Sequence, residues 1–353
     1  MRIVFMGTPE FAVPSLNALL HSPHQVVGVV TQPDRPKGRG QAMVAPPVKR
    51  VAQAQGLPLL QPERMKDPEV LRQLEQWRPD LIAVAAFGRI LPQAILQLPP
   101  RGCVNVHASL LPRYRGAAPI QWALINGEQE TGVTTMLMDQ GMDTGDILLQ
   151  QVVPIAPTDT AVELSHRLAQ VGGDLLIQTL EGLETGTVVP KPQDHEQATL
   201  APLLTKEDGR LDWSHSAIAI ANRIRGLSPW PGCFTFLDGQ RLMIWNVRIV
   251  PESASAHGEP AAPGTIVHVG KAEFTVTTGD GLLAVTEVQP ANRKRMSAAE
   301  FVAGHRLIPG MHFRSTPFGG SFHGRSLIQS EGEQNHKKQG KISSGGESTH
   351  RRE

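Results

Sequence analysis

The sequence predicts a doubly wound α/β domain followed by a small β-barrel. Three observations lead there. In the first third, short apolar runs without polar alternation are separated by stretches of helical periodicity, as parallel strands buried on both faces require. Beyond about residue 230, short strands are divided by turn signals such as Asp238-Gly239 and Gly279-Asp280-Gly281. Finally, 353 residues are more than one hydrophobic core comfortably holds.

Taken in order, residues 2–6 read as a buried strand, 12–20 as a helix and 26–31 as the next strand. Helices near 47–55 and 69–76 and strands at 81–87 and 103–107 continue the alternation. Ligands of such a sheet sit beyond the carboxyl ends of its strands. Residues 131–138 and 146–155 read as adjacent strands joined by the turn from Asp139 to Gly145. A helix over about 160–183 follows, with Thr158 and Asp159 as capping candidates. Residues 190–207 hold prolines and no periodicity, and read as a linker between a first domain, 1–189, and a second, 208–314. In the second domain a short helix at 217–225 precedes strands at 233–237, 241–250, 264–268, 273–277 and 282–288. From 315 to 353 the Ser/Gly/His/Lys/Glu-rich composition is that of a disordered tail.

Composition excludes several function classes. A net charge of +1 means that any polyanion site must be a local patch. The two cysteines, Cys103 and Cys233, leave room for one disulfide but for no Cys-rich zinc site, which fits a reducing compartment. No apolar run approaches the roughly 20 residues of a membrane span, and the N-terminal residues lack a signal-peptide apolar region. A cytoplasmic protein without a membrane partner is expected. Gly7-Thr8-Pro9-Glu10-Phe11 follows the first strand but is not a Gly-x-Gly-x-x-Gly loop, so no nicotinamide cofactor is expected. A phosphate-binding Gly-x-x-x-x-Gly-Lys loop and paired metal-ligand histidines are missing too, and no metal is expected.

The informative stretch runs from Gly102 to Gly116. On a strand at 103–107, Asn105 and His107 face the same side and sit at the carboxyl edge of the sheet. A neutral amide donor beside an imidazole suits a developing oxyanion together with a proton transfer. The same residue types also cap loop backbone. Asp139, Asp143 and Asp146 are nearby carboxylates, each suited to a turn, and spacing does not choose among them.

The run Asn105-Val106-His107-Ala108-Ser109-Leu110-Leu111-Pro112-Arg113-Tyr114-Arg115-Gly116-Ala117-Ala118-Pro119-Ile120 resembles the signature of the methionyl-tRNA formyltransferase family. The resemblance extends from Arg2 to about Gly310. It includes the loop from Gln32 to Gly40, Gly132-Val133-Thr134, Gly141-Met142-Asp143-Thr144-Gly145-Asp146 and Arg225-Gly226-Leu227-Ser228-Pro229-Trp230-Pro231. It implies a Rossmann-like formyltransferase domain, an OB-like barrel and an Asn–His–Asp trio at Asn105, His107 and Asp143. The formyl donor implied is 10-formyltetrahydrofolate, held by Ser109, Leu110, Leu111 and Pro112, with Phe87, Arg89, Ile90 and Leu91 around the pterin. The acceptor implied is initiator methionyl-tRNA. Arg35, Lys37, Arg39 and Lys49 in the basic loop and Arg293, Lys294 and Arg295 in the barrel are expected to hold it, with Arg39 as the leading contact. A monomer is expected. A small-molecule formyltransferase, a formyl-folate hydrolase and a non-catalytic RNA-binding module are the alternatives.

Overall fold

The computed structural model describes residues 1–37, 40–251 and 261–317. The first domain runs β1 (Arg2–Gly7), α1 (Val13–Leu20), β2 (Gln25–Val30), β3 (Arg35–Lys37), β4 (Ala42–Val44), α2 (Pro47–Ala54), β5 (Leu59–Leu60), α3 (Pro68–Trp77), β6 (Leu81–Ala85) and α4 (Gln93–Leu96). It continues through β7 (Cys103–His107), β8 (Arg115–Gly116), α5 (Pro119–Ile125), β9 (Glu130–Leu137), β10 (Ile147–Pro154) and α6 (Ala161–Thr185). Seven strands form one sheet in the order β10-β9-β7-β6-β1-β2-β5. Strands β5, β2, β1, β6 and β7 are parallel, whereas β9 and β10 are antiparallel additions.

The continuous apolar runs follow from burial of both faces. Ile3 and Phe5 of β1 face a core shared with α1 and α6, while Val4 and Met6 face a second core with α3 and α4. The chain order reverses at β1, which opens a crevice at the carboxyl ends of β1 and β6. The two loops there touch, since Thr8 Oγ1 donates to Phe87 O at 3.2 Å.

The second domain contains α7 (Ala217–Gly226), β12 (Cys233–Leu237), β13 (Gln240–Val250), β14 (Ile266–Val269), β15 (Phe274–Thr277), β16 (Leu282–Pro290), β17 (Met296–Ser297) and α8 (Ala298–Gly304), after a short β11 (Leu200–Ala201). Its antiparallel sheet has the order β12-β13-β16-β15-β14. The segment at 310–314 joins the two edges. Arg314 exchanges both backbone hydrogen bonds with Phe236 of β12 at 2.9 Å, and Phe313 N donates to Gly264 O, beside β14, at 2.8 Å. Pairing both edges this way removes free strand edges, as a barrel does.

Several elements differ from the sequence reading. The basic loop after β2 contains the hairpin β3–β4, whose three-residue strands carry no alternation to announce them. Helix α5 was not anticipated because it lacks an amphipathic period. Ile120, Ala123 and Leu124 pack in the first core and Trp122 in the second, so it is apolar nearly all round. The N-cap of α6 is Thr160 rather than Thr158 or Asp159, and it forms a capping box with Glu163. Residues 318–353, nearly all of the anticipated tail, lie outside the described residues.

Candidate active site

Strand β7 positions the site by simple alternation. Val104 and Val106 point into the core under α6, whereas Cys103 points into the opposite core. Asn105 and His107 continue the Cys103 face toward the strand's carboxyl end. His107 is buried and Asn105 half-buried. The Asn105 carboxamide has no hydrogen-bond partner among the described residues. An amide whose donors are unused at the rim of a crevice is free to serve a ligand.

His107 is anchored at one ring nitrogen and faces a carboxylate with the other. Its Nε2 lies 2.9 Å from Tyr114 O, and because a carbonyl only accepts, Nε2 carries a proton. Its Nδ1 faces Asp143 Oδ2 at 3.7 Å. In the neutral ring Nδ1 presents a lone pair to the carboxylate, and in the cation it presents an N–H. The ring can therefore take up or release a proton at Nδ1 without leaving its seat.

The loop after His107 is pinned to β9 and β10. Thr134 Oγ1 donates to Ser109 O at 2.7 Å and accepts from Leu111 N at 3.1 Å, and Gln150 Nε2 donates to Leu111 O at 2.9 Å. Ser109 Oγ donates to Arg113 O at 2.7 Å. The Tyr114 phenol is pushed up to about 12 by burial and by the Glu128 carboxylate it donates to, so it stays a hydroxyl donor.

Asp143 sits in the β9–β10 turn with φ 54°, a left-handed conformation that Asp tolerates better than most residues. Gly116 N donates to its Oδ2 at 2.8 Å. The turn closes tightly, since a Cβ on Gly145 would lie 1.8 Å from Leu137 O. Asp139 is occupied within the turn, accepting from Gly141 N at 2.9 Å and from Thr144 Oγ1 at 2.7 Å. Tertiary placement thus separates Asp143 from its neighbour. Among the described residues, no group of three or more His, Cys, Asp or Glu is placed to hold a metal ion, and no helix is long and apolar enough to cross a membrane.

Residues 1–180 match the formyl transferase family, and residues 203–306 match its C-terminal domain. A methionyl-tRNA formyltransferase of Trichlorobacter lovleyi is 53% identical, covering 88% of this chain and 96% of its own. One from a Synechococcus species is 54% identical over 90% and 99%. This chain belongs to the methionyl-tRNA formyltransferase family. A solved N-formyltransferase from Helicobacter canadensis, in complex with folinic acid and dTDP-3-aminofucose, shares the fold at 18% identity. Its TM-score is 0.58, over 82% of this chain and 98% of that one.

Within this formyltransferase framework the remaining expected residues fall into distinct places. Leu111 and Ser109 are buried, and Leu110 and Pro112 are half-buried along the pinned loop. Phe87 and Leu91 belong to the core beneath the crevice, Arg89 is half-buried and Ile90 is 91% exposed. Arg35 lies on the hairpin and pairs at 3.5 Å with Glu63. Lys49 bonds both Asp34 oxygens at 2.8 Å, at the base of that hairpin. Lys37 ends β3, but its side chain, like the whole of Arg39, lies outside the described residues. In the barrel Arg293 and Lys294 are exposed, and Arg295 pairs with Glu287 over the Trp245 ring. Sequence reasoning missed Arg115, Gln193 and the structural part played by Tyr114. Tyr114 and Arg115 lie within the signature run, which gave no role for them, and the only signal of Gln193 is a polar residue in a stretch without period.

Proposed function

We propose that the protein transfers the formyl group of 10-formyltetrahydrofolate to the α-amino group of methionine esterified to initiator tRNA, through Asn105, His107 and Asp143. One observation carries this reading: the unpartnered Asn105 amide shares a strand face with the His107–Asp143 pair at the sheet's carboxyl edge. The folate supplies a formyl carbon bonded to nitrogen. A free α-amine has a pKa of about 7.7–8.0, so a useful fraction is already nucleophilic near neutrality. In the exchange the amine nitrogen bonds the formyl carbon and gives up one proton, the bond from that carbon to the folate nitrogen breaks, and the folate nitrogen gains one proton, so no net proton is consumed.

Asn105 donates to the formyl oxygen as negative charge builds on it. Protonated His107 is the second donor and delivers the proton, and Asp143 stabilises the cation. The pinned loop of Ser109, Leu110, Leu111 and Pro112, with Phe87, Arg89, Ile90 and Leu91 at the switch point, forms the folate's seat. Arg35, Lys37 and Arg39 of the basic loop and Arg293, Lys294 and Arg295 of the barrel bind the RNA. Lys49 enters through Asp34, which it holds at the hairpin's base. The protein acts as a monomer in the cytoplasm. The test is single-turnover transfer of labelled formyl from the folate to charged initiator tRNA. Formate release without labelled tRNA would instead identify a hydrolase.

A further inference from the structure

We infer that Gln193 is a positioning residue for Asp143, so that the segment between the two domains forms part of the active-site scaffold; this rests on the formyl-transfer reading above. Residues 191–196 are exposed except Gln193, which is 6% exposed. A single buried amide in an exposed, proline-flanked segment adds little apolar packing, so its burial must serve its polar atoms.

Those atoms are fully used. Oε1 accepts from Arg115 Nε at 3.1 Å and Nη2 at 2.6 Å. Nε2 donates to Asp143 O at 2.9 Å and to Gly145 O at 2.7 Å. Arg115 offers only donors and the two carbonyls only acceptors, so the orientation of the amide is unambiguous. The two carbonyls flank Thr144 in the turn that holds Asp143 in its left-handed conformation. Two converging carbonyl oxygens need donors, and Gln193 supplies both.

The same segment grips both sides of the site. Lys191 exchanges backbone hydrogen bonds with Ile147 at 2.8 and 2.9 Å, just past the Asp143 turn. Arg115 N donates to Thr199 O at 2.8 Å, and Ala117 N to Ala201 O at 2.9 Å. The residue between these two, Gly116, donates to the Asp143 carboxylate. Gln193 therefore fixes the backbone of Asp143 directly. Through Arg115 it also steadies the strand whose amide fixes the carboxylate. The separation of Asp143 from His107 is set by this strap.

The experiment is a double-mutant cycle in the full-length protein with charged initiator tRNA and 10-formyltetrahydrofolate. Gln193→Met keeps the side chain's length and removes its hydrogen bonds. It should lower kcat about 10- to 100-fold, the scale of a misplaced catalytic group, with KM for both substrates within about twofold. In an Asp143→Asn background the same change should cost less than about twofold, because a residue acting through Asp143 has nothing left to position. The pH profile of kcat should move in the direction that Asp143→Asn moves it. If Gln193→Met melts early, Gln193→Glu serves the same cycle, since it keeps the partner of Arg115 and loses the two amide donors. Equal losses in both backgrounds, or a rise in KM alone, would overturn the assignment. Absence of wild-type transfer would overturn the formyl-transfer reading instead, and is seen before any variant is compared.

Discussion

His107 Nδ1 and Asp143 Oδ2 face each other across 3.7 Å, while Tyr114 O anchors the opposite ring nitrogen at 2.9 Å. The imidazole is thus clamped at one end and open to proton exchange at the other. The gap to Asp143 exceeds a direct hydrogen bond, so the carboxylate acts on the ring chiefly through its charge.

Asn105→Ala should lower turnover about 10²–10³-fold, the usual cost of one lost oxyanion donor. His107→Ala should cost about 10²–10⁴-fold as a lost general acid. Both should leave tRNA affinity nearly unchanged. Rapid-quench formyl transfer with saturating tRNA reads this out, and near-normal turnover in either variant would sink its assigned role.

Salt dependence tests the barrel. Arg293→Glu with Lys294→Glu changes two exposed side chains and spares the Arg295–Glu287 pair. The log–log slope of tRNA affinity against salt should flatten by about 1–2. Formyl transfer to a minimal aminoacyl acceptor should stay at the wild-type rate. An unchanged slope removes this loop from RNA binding.

Acid stability should carry the signature of Asp159. The Arg167 guanidinium that it accepts from holds its carboxyl below the ordinary value, aided by the Ala156 N–H. A group depressed in the folded state contributes stability above its unfolded pKa, lost as pH falls through the folded value. Asp159→Asn should therefore destabilise by about 1–3 kcal/mol at neutral pH, with the gap closing on acidification. Melting curves across a pH series decide this; a gap that stays constant with pH contradicts it.

Both thiols should be silent. Cys103 and Cys233 are free and buried, and burial pushes each up to about 12, so neither forms the reactive thiolate near neutrality. Labelling by an aromatic disulfide reagent should await unfolding. Fast labelling of the native protein would contradict the burial.

Much of the scaffold was legible because its signals are local. The strand Cys103–His107 shows in five consecutive residues, and the turn between β9 and β10 in its glycines and aspartates. The hairpin β3–β4 was not legible, because Pro36 and two basic residues mask its three-residue first strand. Helix α5 was missed because two cores bury it and erase the polar face that marks a helix.

By itself the sequence determined the doubly wound sheet and the small barrel, and it put an amide and an imidazole on one strand face. Burial on both faces writes itself as unbroken apolar runs, and a period of two needs no partner to be read. Spacing left three carboxylates open and only the resemblance pointed to Asp143; the tertiary structure brings that carboxylate to His107 and supplies what holds it there. Asp143 lies 36 residues beyond His107, and Gln193 another 50 beyond Asp143. Hydrogen bonds between such distant polar groups impose no period on the chain, and they become visible only when folding brings the segments together.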